Sequence, residues 1–211
     1  MLDLSSCAAV ITGATGNLGA AVLRAYLTRG THVAAAVRDA AKSEALRSSL
    51  SDVAGSSDDP RLLVIVAGIF KGGPSLDTRL VRELWESNVL TAVTASAACL
   101  RPMRARGYGR IVNVSAIGAQ KGGRNNAAYA MSKSALVRWT ESCAAEVKGE
   151  GITVNAVLPT TIDHPVNRAQ MPKADPKLWP SPDEVANVIL FLSSRESSGV
   201  NGAAIPIVAR T

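Results

Sequence analysis

Residues 10–19, VITGATGNLG, decide how the rest of this chain is read. An apolar run from Ala8 to Ile11 stops at Thr12. Glycines follow at Gly13, Gly16 and Gly19, and a helical pattern (Ala20, Val22, Leu23, Tyr26, Leu27) begins at once. That order predicts a strand, a tight turn and a helix. Glycine lets the backbone turn sharply and approach a ligand, while the first amides of the helix lack intrahelical partners and carry a partial positive charge. The expected occupant is a pyrophosphate. A glycine-rich turn alone is a weak signal, but between a strand and a helix in the first βαβ unit it points to a dinucleotide.

Working outward, His32–Val37 (HVAAAV) reads as the second strand, ending at Arg38 and Asp39. A basic residue at this strand tip accommodates a ribose 2′-phosphate and an acidic one binds a free 2′-hydroxyl. Arg38 therefore argues for NADP, and Asp39 keeps NAD open. A helix is expected over 40–50 and a polar, turn-rich linker over 51–60. Leu62–Val66 reads as a buried strand. The 24 residues between Val37 and Leu62 hold one helix and a crossover but not a further strand and helix. Either the sheet lacks one edge strand and helix between residues 38 and 61, or a segment is missing near 51–60.

Further on, helices are expected over 77–100, 127–148 and 181–193, with strands over 110–114, 152–158 and 204–208. The last of these helices has Ser181 as a cap, Pro182 at its first position and acids in its first turn. Strands alternating with helices throughout imply an α/β, doubly wound parallel sheet of Rossmann type. One domain spans 1–211, with a proline-containing substrate loop over 163–180.

Composition narrows the function. The chain has 211 residues, 47% of them hydrophobic, and a mean hydropathy of +0.14, which suits strands apolar on both faces. Aromatics make up only 4% and the +6 charge is scattered, so neither nucleic acid nor a membrane surface is an expected partner. Cys7, Cys99 and Cys143 form no CxxC pair, and His32 and His164 complete no ligand set, so no metal is expected. The N-terminus has no basic lead segment and Leu62–Phe70 is too short to span a bilayer, so the expectation is a soluble, cytoplasmic protein.

Tyr129 and Lys133 stand four apart on an expected helix and so share a face. An ammonium beside a phenol favours the phenolate, lowering the phenol toward a working range for proton transfer. YxxxK alone is common; its place one crossover after a strand ending at Ser115 gives it weight.

Taken together, TGATGNLG, VAGIF, Asn88, RIVNVSA, YAMSK and GITVNAVLP resemble the short-chain dehydrogenase/reductase family, in the family's order and across essentially the whole chain. The run AVLPTTIDHPVNRAQMPKADPKLWPSPDEV is similar to the dihydropteridine reductase branch. The resemblance implies Tyr129 as proton donor, Lys133 tuning it and holding the nicotinamide ribose, and Asn88 supporting a water-mediated proton path. It also implies a cofactor site from Thr12, Gly13, Thr15, Gly16, Asn17 and Leu18 around the pyrophosphate, with Ala67 and Gly68 beside the adenosine and Pro159 and Ile162 near the carboxamide. A homodimer or homotetramer built on helices 77–100 and 127–148 is expected from the same source.

Four departures stand out. Asn17 occupies the middle glycine of the family's usual TGxxxGxG. Ala116 fills the slot of the catalytic serine, 13 residues before Tyr129, with Ser115 one step earlier. Thr160 replaces the glycine after the strand-ending proline, and His164 replaces a threonine four residues on. Dihydropteridine reductases resemble the chain in lacking that serine. The primary expectation is thus an NAD(P)H-dependent reductase passing hydride to a small conjugated imine, quinonoid or carbonyl compound, with Met171 and Trp179 as an apolar lid. Two alternatives remain: an ordinary ketoreductase using Ser115, and a non-catalytic nucleotide-binding scaffold.

Overall fold

Strand β1 (Ala8–Thr12) is apolar because both of its faces are covered, and its hydrogen-bonding edges are taken by β2 (His32–Ala36) on one side and β3 (Leu62–Ile65) on the other. The sheet continues through β4 (Gly109–Val114), β5 (Ile152–Pro159) and β6 (Ala204–Ile207). The six described strands are all parallel, in the order β2-β1-β3-β4-β5-β6. The structure is a computed structural model and describes residues 4, 5, 7–36 and 60–209. Arg38, Asp39 and the missing strand and helix expected between 38 and 61 lie outside the described residues.

The chain leaves β1 for β2 and then crosses back over β1 to β3. That reversal is a topological switch, where an open α/β sheet forms a crevice beyond its strand ends. Helix α1 (Asn17–Leu27) and the late helix α6 (Pro182–Leu192) cover one face, sharing a core of Leu23, Tyr26, Val185 and Ile189 with the strands. The Tyr26 hydroxyl meets the Ser193 hydroxyl, and total burial pushes its ionisation far above the usual phenol range. The other face is covered by α3 (Thr91–Arg106) and α4 (Ala127–Glu146), through Ala92, Cys99, Met103, Leu136 and Cys143.

The single helix expected over 77–100 is instead three segments contiguous in sequence. Helix α2 (Thr78–Trp85), capped by the Asp77 carboxylate, passes into a π turn at Glu86–Leu90 and then into α3. The loop over 163–180 is also more ordered than its sequence suggests, with a short helix α5 (Pro165–Gln170) and a 3₁₀ turn at Pro176–Leu178. Ser181 and Glu184 form the capping box of α6. No described helix is long and apolar enough to cross a membrane.

Candidate active site

The β1–α1 turn is built for close backbone approach. Gly13 has φ +70°, and a Cβ there would lie 2.7 Å from the Ala67 amide nitrogen; a Cβ on Gly19 would lie 2.0 Å from the Gly13 carbonyl oxygen. The Ala67 amide in turn donates to Thr12 Oγ1 at 3.2 Å, tying the ends of β1 and β3 together. Gly16 caps α1 with no side chain of its own, so the first-turn amides stay available to an anion at the positive end of an 11-residue helix. These are the features that a pyrophosphate requires, and the dinucleotide fits here. Thr15 lies in the same turn. Gly19→Ala forces backbone to move and is expected to cost about 1–3 kcal/mol. At about 2–4 °C per kcal/mol for a chain of this size, a thermal melt reads the loss directly, and cofactor titration reads its effect on the turn.

Beside this turn a cavity of about 740 Å³ opens at the strand ends. It brings together Asn17, Leu18, Gly68, Tyr129, Lys133, Pro159 and Ile162, residues spread over most of the chain. Asn88 stands behind it, 1% exposed in the π turn. Its Oδ1 accepts from the Ile69 amide at 2.8 Å, and its Nδ2 donates to the Ile69 carbonyl at 3.1 Å and to Ser132 Oγ at 3.0 Å. Ser132 donates on to the Tyr129 carbonyl at 2.8 Å. A Cβ on Gly68 would lie 2.8 Å from Asn88 Oδ1 and 3.2 Å from Lys133 Nζ, so glycine is what lets these two polar groups stand side by side. A π turn holding a polar residue in a cleft is a common functional device.

Lys133 Nζ donates to the Val114 carbonyl at 2.9 Å and lies 5.9 Å from the centre of the Tyr129 ring. Burial disfavours the charged form of each group. It pushes the Tyr129 phenol up to about 12 and the Lys133 ammonium down to about 8. The lowered phenol expected from the Tyr–Lys spacing is therefore absent. The spacing puts the two groups on one face, and burial alone sets the direction in which each is shifted.

Ser115 does not fill the empty serine slot. It lines the same cavity, is 3% exposed, and donates its proton to the Lys133 carbonyl at 2.9 Å, so the hydroxyl ties β4 to α4 at the edge of the site. Ala116 lines the cavity and offers no donor. Sequence reasoning missed Asn126, which begins α4 one turn before Tyr129 and lines the same cavity.

The loop over 163–180 forms one wall. Met171 contributes to it, whereas Trp179 is half-buried away from the lining, which corrects the expected two-residue lid. Arg168 clamps Asp163 through two hydrogen bonds of 2.6 and 2.7 Å, and Asn167 Nδ2 donates to the Ile162 carbonyl at 2.7 Å. His164 Nδ1 caps α5 by accepting from the Val166 amide and sits 2.9 Å from Asn17 Nδ2. Two of the sequence's departures thus meet each other across the cleft.

Residues 6–208 match a family model described as enoyl-(acyl carrier protein) reductase. The chain belongs to the short-chain dehydrogenase/reductase family. It is 30% identical to the 3-oxoacyl-[acyl-carrier-protein] reductase of Rickettsia bellii, over 98% of this chain and 97% of that protein. It is also 30% identical to the acetoacetyl-CoA reductase of Shinella zoogloeoides, over 93% and 95% of the two chains. Among solved structures, a short-chain dehydrogenase/reductase from Burkholderia thailandensis superposes with a TM-score of 0.85 at 27% identity, covering 95% of this chain and 90% of that one. A 3-oxoacyl-[acyl-carrier protein] reductase from Brucella melitensis with bound NAD gives 0.85 at 25%, covering 98% and 92%. As a short-chain dehydrogenase/reductase, the protein is an NAD(P)-dependent oxidoreductase. The finer likeness to dihydropteridine reductases is not what these relatives support. The loop that carried it has a structural use, since Asp163, Asn167 and Arg168 bind the loop to itself.

Proposed function

We propose that this protein reduces a ketone to an alcohol at the expense of NADPH, with Tyr129 as the proton donor. The observation that carries this reading is the single cavity holding Tyr129 and Lys133 beside the end of α1. The names of the relatives support the reaction class, both being reductases of 3-oxoacyl compounds. A bound reduced nicotinamide supplies the hydride. The ketone carbon takes that electron pair, the carbonyl oxygen takes the phenolic proton, and an alcohol results.

The chain's own residues do the rest. A phenol pushed up to about 12 keeps its proton throughout the neutral range, ready for a nascent alkoxide. An ammonium near 8 is matched to replace that proton and to pair with the phenolate left behind. Asn88, Ser132 and the carbonyl of Val114 hold the pair in place. The end of α2 and the π turn expose Trp85 and Leu90, which suit a two-fold contact between copies of the chain.

One observation favours a second substrate class. With Ala116 in place of a hydroxyl donor, a conjugated imine or quinonoid substrate needs less oxyanion support. NADPH oxidation measured against a panel of 3-oxoacyl thioesters and iminoquinones separates the two. Turnover of the thioesters supports ketone reduction, turnover of iminoquinones alone replaces it, and no turnover of either removes the reading. Arg38, which follows β2 in the sequence and lies outside the described residues, is assigned to the 2′-phosphate from its sequence position. Arg38→Ala is expected to weaken NADPH about tenfold and leave NADH unchanged, the loss of one charge-assisted contact. Equal weakening of both in fluorescence titration would reject that role.

A further inference from the structure

We infer that Asn126 supplies the hydrogen bond to the substrate's carbonyl oxygen that Ala116 does not. The inference rests on the ketone-reductase reading and deepens it. Asn126 starts α4 in a non-helical backbone conformation, with φ −129° and ψ 7°, and its own carbonyl accepts from the Ala130 amide at 2.9 Å. Its place is therefore fixed by the helix. Its side chain is not used in the way a residue at this position usually is, because it caps no amide. Oδ1 is buried with no partner, and no described group hydrogen-bonds to the side-chain amide at all. A half-buried asparagine whose side-chain amide bonds to nothing among the described residues is uncommon and calls for a partner from outside them.

Its surroundings say what that partner is. Asn126 and Tyr129 are three apart on the helix and line the same cavity. One point, the position of a Cβ on Gly118, is 3.8 Å from Asn126 Nδ2 and 3.8 Å from Tyr129 Cε1, so the amide and the phenol ring edge face a common space. Ala116 borders it. A carbonyl oxygen placed to receive the Tyr129 proton accepts a second hydrogen bond from Nδ2, the geometry by which an asparagine stabilises a developing oxyanion. Asn126 touches substrate in this arrangement and is a catalytic residue. The glycine Gly118, which bears no side chain to fill this space, keeps it open.

The test is steady-state reduction of the best 3-oxoacyl thioester by wild type, Asn126→Ala, Asn126→Asp and the double variant Ala116→Ser/Asn126→Ala. Removing one oxyanion donor lowers kcat by about 10²-fold, so Asn126→Ala is expected to show that loss with KM and NADPH affinity within about twofold. Asn126→Asp, which keeps size but places an acceptor against the oxyanion, falls at least as far. Restoring a hydroxyl at 116 recovers about tenfold or more of the lost rate. A merely structural Asn126 would not be rescued by a serine elsewhere, and it would lower the melting temperature together with the rate. Wild-type kcat in Asn126→Ala, or no recovery in the double variant, overturns the inference while leaving the reductase reading intact. No turnover by wild type removes both.

Discussion

Tyr129→Phe is expected to lower kcat for ketone reduction by about 10²–10⁴-fold, the usual contribution of a positioned general acid, while NADPH titrates as in wild type. The phenol reaches the cavity from α4, one turn before Lys133, and its ring is held edge-on by Phe70 at 4.8 Å between centroids. Removing only the oxygen leaves that packing and the β1–α1 turn as they are, so the loss appears in the chemical step. The hydrogen bond that Ser132 donates to the Tyr129 backbone carbonyl does not involve the phenol, and the variant keeps it. Retained activity in Tyr129→Phe would show that the proton comes from elsewhere. Weakened NADPH binding of the same size would show that Tyr129 is part of the cofactor site first.

The reading of this cleft depended on how far apart in sequence its parts are. The β1–α1 turn was legible because its signals are local: Gly13 needs a positive φ, and Gly19 has no room for a side chain. The capping box of α6 was legible for the same reason. The π turn was not. Glu86–Leu90 carries the same apolar spacing as the helices on either side, and nothing in five residues announces a change in winding. What places Asn88 there is the match between its amide and the backbone of Ile69, which arrives from the end of β3. The contact of Asn17 with His164 spans 147 positions and is beyond any local signal, although each residue on its own departs from the family pattern. The fate of Ser115 was undecidable for another reason. Its hydroxyl is directed by the Lys133 carbonyl, which arrives from 18 positions further along the chain, while the residue lines the cavity. Asn126 heads the YxxxK helix, a position where asparagine ordinarily caps an amide, and only the structure shows that its side chain makes no such bond.

Proximity was legible and solvation was not, and Lys133 is where that difference has its largest consequence. Lys133→Met is expected to lower kcat by about 10²–10⁴-fold and to change how stability depends on pH. The lysine is 5% exposed and held below its ordinary 10.5, at about 8, by desolvation. Between those two values the unfolded chain carries the proton and the folded chain does not, so stability rises with pH across the window. The size is about 3 kcal/mol, at about 1.4 kcal/mol for each tenfold change in proton affinity. Tyr129 acts in the opposite sense at higher pH. Its ordinary value of 10 is raised to about 12, so the unfolded chain ionises first and stability falls from pH 10 upward. In wild type the two give a maximum near pH 10 from these groups, reached by a climb that starts near pH 8. Methionine removes the buried charge and the climb with it, at the cost of leaving the Val114 carbonyl unpaired. Urea unfolding of wild type and Lys133→Met between pH 7 and 10 measures this difference directly. Parallel curves would mean that Lys133 titrates as in water, and the proton-replenishing role assigned to it would fall with its burial.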